Sequence, residues 1–212
     1  MDLTQKTQKQ KNESAKKMML WFGIVSLVMG FAGWTSAYIV SSSRDDWLKN
    51  FELPSSFFIS TSIILLSSIT YYLAIVITRK IKFKDAKGKD DDKDKEIKRK
   101  ELMPVTLFLL VTLGLGIAFI VLQFNGFSEL IGEGYYFTGP TSSITMSYIF
   151  LIAVVHIVHV VAGLISLLVV LFNQIKGKYT AEEMLGLELG ATFWHFLGIL
   201  WVYLMLFFYF YR

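Results

Sequence analysis

Cysteine is absent from all 212 residues, which excludes disulfides, thiolate metal sites, iron–sulfur clusters and thiol nucleophiles together. Histidine and proline are scarce, three of each, and Pro54, Pro104 and Pro140 all lie before the last two apolar stretches. There is no phosphate-cradling Gly-rich loop with Lys and Ser or Thr, no Gly-x-Ser-x-Gly elbow and no His-Glu-x-x-His. No internal repeat is visible, and nothing divides residues 1–212 into more than a single membrane domain.

What is abundant is apolar chain. Hydrophobic residues make up 54% of the sequence and the mean hydropathy is +0.51, above the roughly 45 to 50% apolar usage of soluble domains. Five stretches are long enough for a hydrocarbon core, which takes about 20 helical residues. They are Met18–Val40, Ser55–Thr78, Val105–Phe124, Ile144–Phe172 and Leu187–Tyr211. The first is longer than the roughly 7 to 15 apolar residues of a signal peptide and reads as a retained helix. The expected fold is therefore all-α, an integral membrane bundle of five transmembrane helices.

Charge supplies the orientation, because Lys and Arg accumulate in cytoplasmic connections. With the N-terminus cytoplasmic and the C-terminus outside, 18 of the 21 basic residues lie inside and only Arg44, Lys49 and Arg212 lie outside. These basic residues flank apolar segments, so a pI of 9.1 does not argue for nucleic acid. Trp21, Trp47, Tyr71, Tyr72, Tyr135, Tyr136 and Tyr211 fall near predicted span ends, as expected of interfacial aromatics. The connection over 79–101, with Lys89-Asp90-Asp91-Asp92-Lys93-Asp94-Lys95-Glu96, reads as a solvated cytoplasmic loop, with docking onto a partner as the other reading. Asn125–Ser143, with Gly126, Gly132, Gly134, Gly139 and Pro140 and no basic residue, reads as a turn-rich outer cap.

Polar groups at lipid depth cost free energy unless they are paired or buried in protein, so they mark candidate sites. In the fourth span His156 and His159 share a face with Ala153, Gly163 and Ser166, while Leu151, Val154, Val158, Val161, Ile165 and Leu168 form a side suited to lipid. In the fifth span Glu188, Thr192, His195 and Gly198 make a second polar and small stripe. Glu188 and His195 stand about 10 Å apart along the axis at about 1.5 Å per residue. The two stripes are expected to pack together, small residues permitting close approach. Imidazoles can ligate metal or haem, or they can hydrogen-bond a neighbouring helix or a lipid headgroup; no carboxylate stands near His156 or His159, which favours the second reading. A carboxylate in the first turn of a helix is in any case favoured by the macrodipole, by about 0.3 to 1 kcal/mol, which is the simpler explanation of Glu188.

Four segments carry a resemblance to a known family. Glu188 through Trp201, with Thr192-Phe193-Trp194-His195-Phe196 and Ile199-Leu200-Trp201, resembles the last helix of subunit III of haem-copper cytochrome c oxidases. Leu53-Pro54 with Thr61 and Leu65-Leu66-Ser67-Ser68 resembles another helix of that family, with Ser60 in place of its Asn. Gly114-Leu115-Gly116 through Phe119 and Gln123, and His156-Ile157-Val158-His159-Val160-Val161-Ala162-Gly163, resemble two more, in the same order. The match covers about residues 20–211 and is to the short five-helix bacterial form. Departures are Leu27 where the family often has a buried Glu after Ser26, Asn125 or Gly126 where an acid follows Gln123, and Gly198 where Asp is common.

The resemblance implies an accessory subunit of an oxidase that reduces dioxygen to water with electrons from cytochrome c and moves protons across the bacterial cytoplasmic (inner) membrane. It implies no catalytic, cofactor-binding or metal-binding residue in this chain, and haem and copper in partner subunits. Three histidines are too few for the ligands of subunit I, and the absence of cysteine excludes the dinuclear copper domain of subunit II. Implied partners are subunit I directly, subunit II and further oxidase subunits, a larger respiratory supercomplex with a cytochrome c-reducing complex, and membrane lipids including a structural phospholipid; no nucleic acid is expected. His156, His159, Glu188, Trp194, His195 and Trp201 are the candidates for lipid binding or for the helix seam. The same subunit in a quinol oxidase or a nitric-oxide-reductase-associated homologue is the nearest alternative. A self-standing transporter is the alternative of another class, and would usually show repeats or broken helices around a midplane site.

Overall fold

The computed structural model describes residues 8–48, 51–85, 94–139, 142–176 and 184–211. These residues form five helices: α1 Gln8–Ser41, α2 Ser55–Asp85, α3 Asp94–Gly132, α4 Ile144–Ile175 and α5 Leu185–Phe210. Each contains a segment long and apolar enough to cross a membrane. The apolar spans read from sequence fall on these helices, and most of the helices run on beyond them. α2 continues to Asp85 and α3 begins at Asp94, so much of the expected loop at 79–101 is helical, while residues 86–93 lie outside the described residues.

The outer cap differs more. α3 carries on through Asn125 and Gly126 to Gly132, so the irregular segment is shorter than Asn125–Ser143. Packing against α2 explains the extension. Gly126 lies directly against the Phe57 ring, and Ser56 donates its hydroxyl proton to the Glu129 carboxylate. The helix then stops in a Schellman motif: Tyr135 N–H bonds Leu130 C=O and Gly134 N–H bonds Ile131 C=O, each at 3.0 Å. Gly134 takes φ +89°, a conformation that side chains other than glycine's resist. Ser143 restarts the chain as the N-cap of α4, accepting from Met146 N–H at 3.2 Å.

α2 and α3 share the most extensive interface, and α5 packs on both α2 and α4. Among the described helices α1 packs on α4 and α5, and does so sparingly. Its packing starts at Ile24 and Leu27 and gathers towards its C-terminal end, where Tyr38 meets Trp47, Tyr148, Phe207 and Phe208. Met18, Met19, Trp21 and Phe22 at the other end are exposed. Tyr71, placed by sequence among the interfacial aromatics, is wholly buried beside Gly190, and Trp47 is buried too.

Candidate functional site

α4 and α5 carry the six residues singled out by sequence, and the structure divides them into a buried group and a rim group. His156, Trp194 and Trp201 form the buried group. The His156 ring stacks on Trp201 with centroids 5.2 Å apart and planes inclined by 27°. Phe31 and Phe119 meet the same imidazole edge-on, each at 6.2 Å. It sits in an aromatic cage drawn from α1, α3 and α5.

Both indoles are tied to α2. Trp194 Nε1 donates to Ser67 Oγ and Trp201 Nε1 to Thr61 Oγ1, each at 3.0 Å. The two acceptors donate in turn to their own helix, Ser67 to Ile64 C=O and Thr61 to Phe57 C=O. An indole N–H at lipid depth has no water to turn to, so these hydroxyls meet a real need. Interhelical hydrogen bonds in membranes average about 0.6 kcal/mol and reach about 1.7. Truncating a buried Trp to Ala costs roughly 3–5 kcal/mol, so ring packing dominates and the bonds select which face of α5 meets α2. Glycine makes the packing possible: a Cβ on Gly116 of α3 would stand 2.7 Å from both Leu164 Cδ2 and Trp194 Cη2, and one on Gly163 of α4 would stand 2.8 Å from Leu197 Cδ1.

His159, Glu188 and His195 lie at the rim. His159 is half-buried; its Nδ1 donates to Val155 C=O at 2.7 Å, which leaves Nε2 for another partner. Glu188, in the first turn of α5, pairs with Arg79 of α2 at 3.0 Å. The two side chains are 36% and 62% exposed, so the pair contributes at most about 1 kcal/mol. His195 is half-buried, with its ring 6.1 Å from that of Tyr71.

The stripe pairing expected between α4 and α5 is only partly formed. The lipid side of α4 is exposed throughout, from Leu151 to Leu168, and Gly163 and Ser166 do face α5. On α5, however, the face against α4 presents Gly190, Trp194, Leu197 and Trp201. Gly198 packs instead on Ser68 and Ile64 of α2, and Glu188 turns to Arg79. The large rings win the α4 face because they fill the gap between helices, whereas a carboxylate gains more from a cation at the bundle's edge. Sequence reasoning assigned no role to Thr61, Ser67 and Arg79; two buried indoles each needing an acceptor were the available signal.

No group of three or more His, Asp or Glu side chains converges among the described residues. His159 already commits Nδ1 to a carbonyl, and His156 stands among aromatic rings. A separate apolar pocket of about 420 Å³, lined by Phe124, Phe127, Ile131, Phe137, Phe150 and Val154 among others, opens between α3 and α4.

A family model described as cytochrome c oxidase subunit III matches residues 96–212, more than half of the chain. The chain belongs to the haem-copper oxidase subunit III family. Cytochrome bo(3) ubiquinol oxidase subunit 3 of Pseudomonas aeruginosa is 35% identical over 152 residues, 72% of this chain and 62% of that protein. The protein of the same description from Buchnera aphidicola subsp. Schizaphis graminum is 28% identical over 204 residues, 95% of this chain and 96% of its own length. Cytochrome c oxidase subunit 3 of Madoqua guentheri is 32% identical over 104 residues, 48% of this chain and 36% of that protein. The subunit III match includes α4 and α5 and so takes in the whole of the buried group.

Proposed function

We propose that this chain is a non-redox accessory subunit of a haem-copper terminal oxidase that reduces dioxygen to water, and that it holds one flank of the catalytic subunit and the lipid around it. The observation that carries this reading is the buried group itself. Its two indole N–H groups are spent on joining α5 to α2, and its one histidine ties α4 to α5 through ring stacking on Trp201, an arrangement suited to a rigid wall between helices. Glu188 and His195, half-exposed in the first half of α5, are the groups we assign to lipid headgroups, and His159, midway along α4 with its ring on Phe31, we assign to the helix seam. Bacterial relatives and the bias of basic residues to one side of the bundle support a place in the bacterial inner membrane, with the N-terminus cytoplasmic. Coupling to proton translocation belongs to the assembled oxidase.

For the electron donor, coverage favours quinol. Three ubiquinol oxidase relatives from Buchnera align over 57%, 87% and 96% of their own lengths, whereas the Madoqua relative aligns over 36% of its length. Cytochrome c is the second reading, supported by the description of the matching family model. The complex captured through a tag on this chain should consume oxygen with ubiquinol and not with reduced cytochrome c. The reverse preference would replace the first reading by the second, and a captured protein that consumes oxygen with neither would count against the oxidase assignment.

A further inference from the structure

Two fully buried polar side chains of the bundle, Gln123 of α3 and His156 of α4, carry atoms with no hydrogen-bond partner among the described residues: Gln123 Oε1, and both ring nitrogens of His156. The orientation of Gln123 is fixed by its neighbour. Ser60 Oγ gives its proton to Phe57 C=O and can only accept from the amide 2.8 Å away, so Nε2 faces Ser60 and the carbonyl oxygen is the free end.

Helix register sets the level of Gln123 relative to His156. α3 and α4 run antiparallel, with Phe119 against His156 and Phe127 stacked on Phe150 at 5.1 Å. Gln123, midway between Phe119 and Phe127, is therefore level with Ala153 of α4, one turn from His156. Three residues of helix are about 4.5 Å along the axis, too far for a direct bond but within the span of two bonds of about 2.8 Å each. Ala153 is fully buried and offers only a methyl group at this level, where a larger side chain would fill the space.

We propose that one water molecule is bound here, between Gln123 Oε1 and a ring nitrogen of His156. The water donates one proton to the amide oxygen. It then accepts from an imidazole N–H or donates to the bare nitrogen, so either tautomer is served. A buried water with polar partners on both sides is an ordinary constituent of a protein core. The second ring nitrogen keeps only the ring contacts of the cage. With the Gln123–Ser60 bond, the water completes a polar link from α2 through α3 to α4 at the level where α1 makes its Phe31 contact.

Two measurements on the full chain test this, in lipid nanodiscs or in its complex. Thermal unfolding of Gln123→Leu, His156→Phe and the double variant should show each single change lowering Tm, with the double losing clearly less than the sum, since the water leaves with its second partner. Simple additivity would overturn the proposal. His156→Gln, which keeps a donor and an acceptor, should retain more of the wild-type Tm than His156→Phe; equal losses would also count against it. A density map that resolves ordered waters should show one within about 3 Å of Gln123 Oε1 and of a His156 nitrogen. A direct His156–Gln123 contact, or a His156 nitrogen bonded to another chain, would refute it whatever the Tm values.

Discussion

Replacing Ser67 by Ala removes one oxygen from the centre of the bundle and should reveal how α5 is keyed to α2. The Ser67 hydroxyl accepts from Trp194 Nε1 at 3.0 Å, and both side chains are fully buried. Without it the indole N–H faces apolar side chains. The bond alone is worth about 0.6 to 1.7 kcal/mol in a membrane, and an orphaned buried donor costs about 1–3, so a loss of about 1–2 kcal/mol is expected. Trp194→Phe deletes the donor and also empties space between Gly116 and Gly163, and should cost about 2–4 kcal/mol. In the Ser67→Ala, Trp194→Phe double variant the hydrogen-bond component cannot be lost twice. The coupling should therefore be about 0.6 to 1.7 kcal/mol, above the roughly 0.3–0.5 kcal/mol scatter of independent sites. Reversible unfolding of the full chain in mixed micelles measures it. If Ser67→Ala changes nothing and Trp194→Phe costs the same in both backgrounds, the bond does not hold the helices.

Gly116→Ala should lower stability by about 1–3 kcal/mol in the same assay, because its Cβ meets Leu164 and Trp194 at 2.7 Å, while Gly114→Ala two residues away has no neighbour within 4 Å and should change it by less than about 0.5 kcal/mol. Arg44 holds Asp46 below the ordinary aspartate range, chiefly through the hydrogen bond from Nε to Oδ1 at 2.8 Å. A carboxylate whose pKa is lower folded than unfolded adds stability above the unfolded pKa and loses it as pH falls through the folded one; Arg44→Ala should move the Asp46 titration, followed by carboxyl NMR, up towards the ordinary value. An oxidase purified without this chain should start turning over near the intact rate and then decline sooner, with partial rescue by added lipid, as oxygen-electrode traces over successive turnovers would record.

How much of this was legible in the sequence depends on what each residue needed. The five spans were legible because a lipid-crossing helix must be apolar over its whole length, and the exposed face of α4 from Leu151 to Leu168 followed from simple periodicity. Helix ends were less so: nothing local marks Asn125 and Gly126 as helical, since what keeps α3 going is the Phe57 ring and Ser56 on another helix. His156 and Trp201 were named as candidates, but their stacking on each other depends on the rotation of α5 about its axis. That rotation is set by Ser67 and Thr61 of α2 and by the crowded glycines Gly116 of α3, Gly163 of α4 and Gly190 of α5. The Arg79–Glu188 pair joins residues 109 positions apart, a separation that hydropathy does not bridge.

Where the haem resides tests the central claim most directly. The complex captured through this chain should be dissociated under mild conditions, its subunits separated, and a reduced-minus-oxidised spectrum and metal content recorded for each. The account predicts haem and copper on a larger multi-helix partner and no stoichiometric haem, copper or iron on this chain. About one tightly held metal or haem per copy of this chain, lost on His156→Ala or His195→Ala, would contradict it.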